Sequence, residues 1–155
     1  MTALPDSVRA FLQGSVFAVA GVSRDPKQPA NAIFRRLRDS GYTVFPVNPK
    51  ASEAEGTTCY PDVRSLPDGV DGVVVATHPD MSMGVIRECG ERGISSVWFH
   101  RSFGDGSVSD AAVKEAEALG MTCIVGGCPM MFCEPVDFGH KCMRWWLQRK
   151  GRVPR

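Results

Sequence analysis

The chain has 155 residues, which is enough for one domain with a full hydrophobic core. Its 18 Lys and Arg residues are nearly balanced by 17 Asp and Glu residues, which argues against the strong basic excess typical of nucleic-acid binding. No apolar run approaches the roughly 20 residues of a membrane-spanning helix, and residues 1–14 lack a signal-peptide pattern. We therefore expect a cytoplasmic protein with one domain over residues 1–155 that binds neither nucleic acid nor membrane.

Strand-like and helix-like segments alternate along the chain. A short amphipathic helix around Val8, Phe11 and Leu12 precedes the first predicted strand. The predicted strands are residues 16–21, 42–47, 71–77, 95–100 and 121–126, with a further short strand around 57–60. The predicted helices are residues 31–40, 79–92, 109–119 and about 138–150. Because the strands are continuous apolar runs, both sheet faces should be covered, which predicts an α/β fold with a Rossmann-like, doubly wound, mostly parallel sheet carrying helices on both faces.

The loop after the first predicted strand has residues that could hold a phosphate. Gly21 allows a tight turn, although the G-x-G-x-x-G fingerprint of dinucleotide-binding folds is absent. Ser23 supplies a hydroxyl, Arg24 and Lys27 supply positive charge, and the next helix offers free N–H groups at its start. A plain turn between a strand and a helix is the alternative interpretation.

The second predicted strand ends in Asn48, Pro49 and Lys50, where an NAD-binding fold usually has an acidic residue. An acid at this position accepts hydrogen bonds from the ribose diol and repels a phosphate, whereas Lys50 could pair with one. Two common ligands carry a ribose phosphate on adenosine: NADP at the 2′ position and coenzyme A at the 3′ position. A solvated surface lysine is the alternative interpretation of Lys50.

Several sequence blocks match one known pattern. They are G-V-S-x-x-P at 21–26, G-Y-x-V-F-P-V-N-P at 41–49, G-x-x-x-Y-P-D-V at 56–63, L-P-D-G-V-D-G-V-V-V at 66–75, and the pair Val97-Trp98. Over about residues 14–130, the chain resembles the CoA-binding domain family, in its small stand-alone group related to the α-subunit of succinyl-CoA synthetase. The resemblance implies a Rossmann-like parallel sheet that binds coenzyme A.

The resemblance also implies three contact regions for the coenzyme. The pyrophosphate would lie against Gly21, Val22 and Ser23. The ribose and its phosphate would lie near Asn48, Pro49 and Lys50. The adenine side would lie near Ala76, Thr77, His78 and Pro79.

The sequence departs from the family after the strand at 95–100. Many relatives resemble W-x-Q-x-G there, whereas this chain has Trp98-Phe99-His100-Arg101-Ser102-Phe103. The resemblance therefore does not indicate which residues would contact the pantetheine end of the coenzyme. His78 and His100 both follow predicted strands and could line the crevice, or could be ordinary loop histidines. We expect no acyl-CoA ligation by this chain alone, because it lacks the G-x-x-x-x-G-K-[ST] loop and the second, phosphohistidine domain of the synthetase.

The six cysteines are expected to be reduced. Cys128 lies in Gly-Gly-Cys-Pro after the last predicted strand, where a helix N-terminus could lower the pKa of its thiol; a structural turn cysteine is the alternative. Cys128, Cys133, His140 and Cys142 are enough ligands for zinc, but their spacing matches no standard module, so no metal site is predicted.

The last predicted helix has Phe138, Cys142, Trp145 and Trp146 on or near one face. We expect it to cap the sheet, with its basic residues facing solvent; stacking on nucleic acid is the alternative.

These patterns favour a module that binds coenzyme A or an acyl-CoA at the carboxyl ends of the strands. We expect it to have a binding or regulatory role rather than a catalytic one. The alternatives are an NADP-binding oxidoreductase or redox sensor, and an interaction module with an empty crevice.

Overall fold

The computed structural model describes residues 4–101 and 106–154. Its main sheet has five parallel strands in the order β2-β1-β5-β6-β7, and a separate two-stranded antiparallel sheet is formed by β3 and β4. The strands are β1 (Val16–Ala20), β2 (Thr43–Val47), β3 (Glu53–Ala54), β4 (Thr57–Thr58), β5 (Gly72–Val75), β6 (Ser96–Phe99) and β7 (Thr122–Val125). The predicted Rossmann-like fold is confirmed, and the main sheet is entirely parallel.

Helices cover both faces of this sheet, as the continuous apolar strands require. They are α1 (Asp6–Leu12), α2 (Pro29–Asp39), α3 (Pro79–Glu91), α4 (Asp110–Ala118) and α5 (Phe138–Arg149), with one short 3₁₀ turn (Pro129–Met131). Proline stands at the first turn of both α2 and α3, where its missing N–H costs no helical hydrogen bond. Among the described helices, none is long and apolar enough to cross a membrane.

Two hydrophobic cores lie on opposite faces of the sheet. On one face, Phe34 of α2 and Leu147 of α5 belong to the same cluster as the sheet residues Phe17 and Trp98. On the other face, α3 and α4 cover the alternate side chains of the same strands, including Val73, Val97 and Phe99. The crossover from α2 on one face to α3 on the other is what makes the sheet doubly wound.

The segment predicted as a strand around 57–60 differs from expectation. Thr57–Thr58 pairs only with Glu53–Ala54 as a short hairpin, and Tyr60 makes an isolated bridge to Val47 at the edge of the main sheet. The hairpin is too short to extend the main sheet, and its Glu55 has a φ of 52°, a turn conformation. This excursion brings Glu55 over the start of α2, beside the first loop.

Candidate functional site

The strand order changes direction between β1 and β5. The chain runs from β1 to β2 on one side and then crosses to β5 on the other side, so the carboxyl ends of β1 and β5 form a topological switch point. In open parallel sheets, ligands bind in the crevice beyond this point. The loops after β1, β2 and β5, which carry all the predicted site residues, meet at this edge.

Gly21 is the point of closest contact between these loops. Its φ is +106°, and a Cβ added there would lie 2.4 Å from the carbonyl oxygen of Ala76. Its N–H donates to the carbonyl of Val47 at 2.9 Å, which joins the ends of β1 and β2. Gly21 is therefore required for the loops to come together, whatever it contributes to a ligand.

Asn31 holds the first loop in place and was not among the predicted site residues. Its side chain is 1% exposed, and its Oδ1 accepts a hydrogen bond from the Ser23 N–H at 2.9 Å. Its Nδ2 donates to the Ser23 carbonyl at 2.7 Å and to Glu55 Oε1 at 2.9 Å. A polar residue on the apolar face of a predicted helix was the available signal, because buried amides need partners.

Glu55 extends this support to α2. Its carboxylate accepts from Arg35 Nη1 at 2.5 Å as well as from Asn31. A shallow cleft of about 270 Å³ lies beside it, lined by the first loop (Ser23, Arg24, Pro26), Asn31 and the β3–β4 hairpin (Glu53–Gly56). The hairpin therefore forms one wall next to the first loop.

Ser23 makes hydrogen bonds within the first loop. Its hydroxyl accepts from the Asp25 N–H at 2.9 Å, and Asp25 Oδ1 accepts from the Lys27 N–H at 3.0 Å. Hydrogen bonds from Lys27 and Gln28 to the Asp25 carboxylate lower its pKa. Much of this loop's hydrogen bonding is thus satisfied internally.

Asn48 connects the second loop to the first. Its Nδ2 donates to the carbonyl of Val22 at 2.9 Å, and its Oδ1 accepts from the Lys50 N–H at 2.8 Å. Both ends of the amide are therefore used in the protein. Asn48 places the backbone of Lys50 at the switch point, while the Lys50 side chain is exposed and makes no ion pair within the described chain.

The third loop begins where Ala76 meets Gly21. The Thr77 hydroxyl lies 3.3 Å from that of Ser82, which is fully buried and donates to the Ser107 carbonyl at 2.8 Å. His78 is the N-cap of α3, and its Nδ1 accepts from the Asp80 N–H at 3.3 Å. The imidazole is exposed beside Asp80.

His100 follows β6, in the segment where the sequence departs from the family pattern. Burial, and secondarily the charge of His140, lower the pKa of His100 to about 4. The ring is therefore neutral near pH 7. Ser102 and Phe103, the rest of this departure, lie outside the described residues.

Of the two interpretations of Cys128, the structure favours a structural turn cysteine over an activated thiol. Burial raises the pKa of its thiol to about 12 and outweighs the lowering by a backbone hydrogen bond from Met130 and by the charge of Arg36. Burial also raises the pKa values of the Cys59, Cys89 and Cys123 thiols. Cys59, Cys89 and Cys128 behave as small buried hydrophobes, and Cys123 is half-buried.

The possible zinc ligands are not gathered into one site. His140 Nδ1 lies 2.6 Å from Asp137 Oδ2, and Cys142 is exposed whereas Cys128 and Cys133 are buried. In the described parts of the chain, no three His, Cys, Asp or Glu side chains are arranged to hold a metal.

A larger cavity lies at the other end of the sheet. It measures about 400 Å³ and is lined by α1, the start of β2 and the segment after the 3₁₀ turn, including Leu12, Tyr42 and Cys133. Since Leu12 and Tyr42 precede β1 and β2, this cavity faces the amino ends of the strands and is separate from the switch point.

The fold and the switch-point loops define a Rossmann-like domain with a lysine where an NAD-binding domain has an acid. The model of the CoA binding domain family matches residues 15–134, and the chain belongs to this family.

Similar proteins include both large ligases and small stand-alone chains. The chain is 29% identical, over 89% of its length, to the ADP-forming acetate–CoA ligase I of Archaeoglobus fulgidus, and spans 21% of that protein. It is 27% identical over 78% of its length to YneT of Bacillus subtilis, described as uncharacterized, and spans 87% of it. A hypothetical protein of Pyrococcus horikoshii superposes with a TM-score of 0.74 at 28% identity, covering 84% of this chain and 94% of that one.

The chain thus spans 11% to 21% of the ADP-forming ligases that it resembles, including 19% of the acetate–CoA ligase II α-subunit of Pyrococcus furiosus. It spans nearly the whole length of the small relatives.

Proposed function

We propose that this chain binds coenzyme A or an acyl-CoA across the switch point between β1 and β5, as a binding or regulatory module. The observation that carries the proposal is a set of exposed cations around the contact of Gly21 with Ala76. Arg24, Lys27 and Lys50 are all exposed, and none makes an ion pair within the described residues. A ligand with two separated phosphate groups matches this distribution of charge.

The pyrophosphate would bind at the first loop. Within residues 21–27 the N–H groups of Gly21, Ser23, Asp25 and Lys27 already donate to protein acceptors. The N–H group of Arg24 has no such partner in the described chain and belongs to an exposed residue, so it is the backbone donor proposed to meet the phosphates; Val22 is fully buried. The start of α2 adds its positive dipole, and Arg24 and Lys27 add charge.

The ribose 3′-phosphate would pair with Lys50. The two hydrogen bonds of the Asn48 amide position the Lys50 backbone next to the first loop. Pro49 restricts the backbone between them. The adenine would lie against Ala76, Thr77, His78 and Pro79, at the start of α3.

A redox-sensor function has weaker support. A thiol sensor needs an accessible cysteine with a lowered pKa, whereas burial raises the pKa values of Cys59, Cys89, Cys123 and Cys128. NADP remains the chemical competitor, because its 2′-phosphate would also meet Lys50.

In the ligase relatives, the matching domain is one part of a larger enzyme. We expect this chain to share coenzyme binding with them, with none of its residues in a catalytic role.

Titration calorimetry with CoA, acetyl-CoA, NADPH and NADH tests the proposal. We expect CoA and acetyl-CoA to bind, and NADPH and NADH to bind at least about tenfold more weakly, a difference of 1.4 kcal/mol. Tight NADPH binding without CoA binding would instead establish an NADP-binding protein. No heat and no rise in melting temperature with any nucleotide would favour an interaction module with an empty crevice.

A further inference from the structure

A buried serine fixes the direction of a hydrogen bond at the third loop of the switch point. Ser82 lies in the first turn of α3 and is fully buried. Its hydroxyl donates to the Ser107 carbonyl at 2.8 Å, a bond in which the carbonyl oxygen can only accept. Because a hydroxyl carries a single proton, Ser82 has none left to donate elsewhere and can only accept from a second partner.

Thr77 is that second partner. Its Oγ1 lies 3.3 Å from Ser82 Oγ, which is long for two hydroxyls, but it is the one hydrogen-bond partner of Thr77 Oγ1 in the described chain. Since the Ser82 proton is committed to Ser107, Thr77 must be the donor between the two hydroxyls. The hydrogen bonds therefore run in one direction, from Thr77 through Ser82 to the Ser107 carbonyl.

The inner end of this relay is held by the sheet. Ser107 is only 2% exposed, and its N–H donates to the carbonyl of His100, directly after β6, at 2.8 Å. Ser82 and Ser107 are both shielded from water, so solvent offers the Ser82 hydroxyl no alternative acceptor. The direction of the relay is thus set by the fold.

The outer end of the relay lies at the ligand crevice. Thr77 is half-buried and follows Ala76, the residue that packs against Gly21 at the switch point. A free threonine hydroxyl can rotate to donate or to accept. With its proton turned inward, Thr77 Oγ1 presents only lone pairs to a ligand, so it favours a hydrogen-bond donor and disfavours an acceptor.

We propose that Thr77 accepts a hydrogen bond from the 6-amino group of the adenine of coenzyme A, and that Ser82 sets this specificity by holding the Thr77 proton away from the ligand. The inference rests on the coenzyme binding proposed above, in which the adenine lies against residues 76–79. Adenine carries a donor amine at its 6-position, whereas a 6-oxo purine carries an acceptor there. Thr77 contacts the ligand, and Ser82 is a positioning residue that acts through Thr77.

An oxygen in place of the amine would set two acceptors against each other. The Thr77 lone pair and the 6-oxo oxygen would both lack a proton, and a site built to pair with a donor rejects an analogue that leaves its polar groups unpaired. The relay therefore predicts discrimination between the two purines.

Titration calorimetry with CoA and with its hypoxanthine analogue, in which a 6-oxo group replaces the amine, tests this specificity in the unmodified protein. We expect the wild type to bind CoA at least about tenfold more tightly than the analogue. Equal affinities, or tighter binding of the analogue, would overturn the inference and leave coenzyme binding intact. If neither ligand binds, the proposed function fails and this inference fails with it.

The ratio of the two affinities separates the relay from simple support of the loop, because a loosened loop would weaken both ligands alike. Thr77→Val keeps the side-chain shape without the hydroxyl, so it should weaken CoA about tenfold and bring the ratio close to one. Ser82→Ala frees the Thr77 hydroxyl to donate to the 6-oxo group, so it should also lower the ratio. Thr122→Val, at an exposed threonine at the start of β7, is the matched control and should leave both affinities unchanged.

Circular dichroism checks that each variant folds, and the wild-type comparison and Thr77→Val decide the question even if Ser82→Ala does not fold. A Thr77→Val protein that loses both affinities equally would mean that Thr77 accepts from another donor, such as a pantetheine amide, and would contradict the assignment. A Thr77→Val protein that keeps both affinities would show that Thr77 does not contact the ligand. A folded Ser82→Ala protein with the wild-type ratio would show that Ser82 does not set the direction.

Discussion

The side-chain amide of Asn31 makes hydrogen bonds to both backbone groups of Ser23, eight positions earlier, at 2.9 and 2.7 Å. A third bond reaches Glu55 on the β3–β4 hairpin at 2.9 Å. One buried side chain thus fixes the first loop relative to α2 and to the hairpin.

Asn31→Ala should lower the free energy of unfolding by about 1–3 kcal/mol, because it leaves buried polar groups without partners. It should also weaken CoA binding, since the loop loses its support. Urea denaturation and calorimetry measure the two effects. Asn31→Asp keeps an acceptor for the Ser23 N–H but loses both donors and adds charge beside Glu55, so it should not restore stability. An alanine variant with wild-type stability and affinity would show that the amide is dispensable.

Gly21→Ala should destabilise the protein more than Gly41→Ala does. Both glycines have positive φ, +106° and +96°, but a Cβ on Gly21 meets the Ala76 carbonyl whereas one on Gly41 meets nothing within 4 Å. Both variants incur the strain of a positive φ, roughly 1–2 kcal/mol. Only Gly21→Ala adds an overpacking cost of about 1–3 kcal/mol. If denaturation shows that both variants lose the same free energy of unfolding, the loops at Gly21 and Ala76 can separate freely.

Lys50→Ala should weaken CoA binding by about 1–3 kcal/mol, the value of a charge-assisted hydrogen bond. Dephospho-CoA should bind the wild type more weakly and be nearly indifferent to the substitution. Lys114→Ala, at an exposed lysine on α4, is the matched control and should leave both affinities unchanged. If Lys50→Ala lowers the affinity for CoA and for dephospho-CoA equally, Lys50 does not contact the 3′-phosphate.

His100 should make stability fall with acid. Its pKa in the folded protein is about 4, below its ordinary value of 6.5, so the unfolded chain binds the proton more tightly. The stabilisation is complete above pH 6.5 and is lost as the pH falls toward 4; linkage gives a loss of about 2 kcal/mol by pH 5.

Denaturation of His100→Gln over the same pH range should show a shallower decline than the wild type. Parallel profiles for the two proteins would assign the acid sensitivity to other groups.

Cys128 should react slowly in the folded protein. A thiol whose pKa is raised to about 12 is almost entirely protonated at pH 8. Alkylation by iodoacetamide, followed by peptide mapping, should be at least about hundredfold slower in native protein than after unfolding. Rapid native labelling would restore the possibility of thiol chemistry at this position.

Local patterns were enough to predict the fold class. Apolar runs identified β1, β2, β5, β6 and β7, and proline or glycine marked the helix ends. These patterns depend only on the residues of one element and on which of them are buried. The blocks around Gly21 and Asn48-Pro49-Lys50 also identified the family, since it is the specific loop sequences that the family shares. The contacts predicted between those residues and the coenzyme remain predictions.

Three features depended on contacts between distant segments. Asn31 and Glu55 are 24 positions apart, and no local pattern indicates that the hairpin would supply the amide's third partner. The thiol pKa of Cys128 depends on burial in the core cluster that also contains residues of α2 and α5. The periodicity of α5 grouped Phe138, Cys142 and Trp145 on one face, but could not tell which face meets the sheet. That was decided by Leu147 and Arg144 fitting against the core, because a helix with apolar residues on two sides can bury only the side that complements its neighbours.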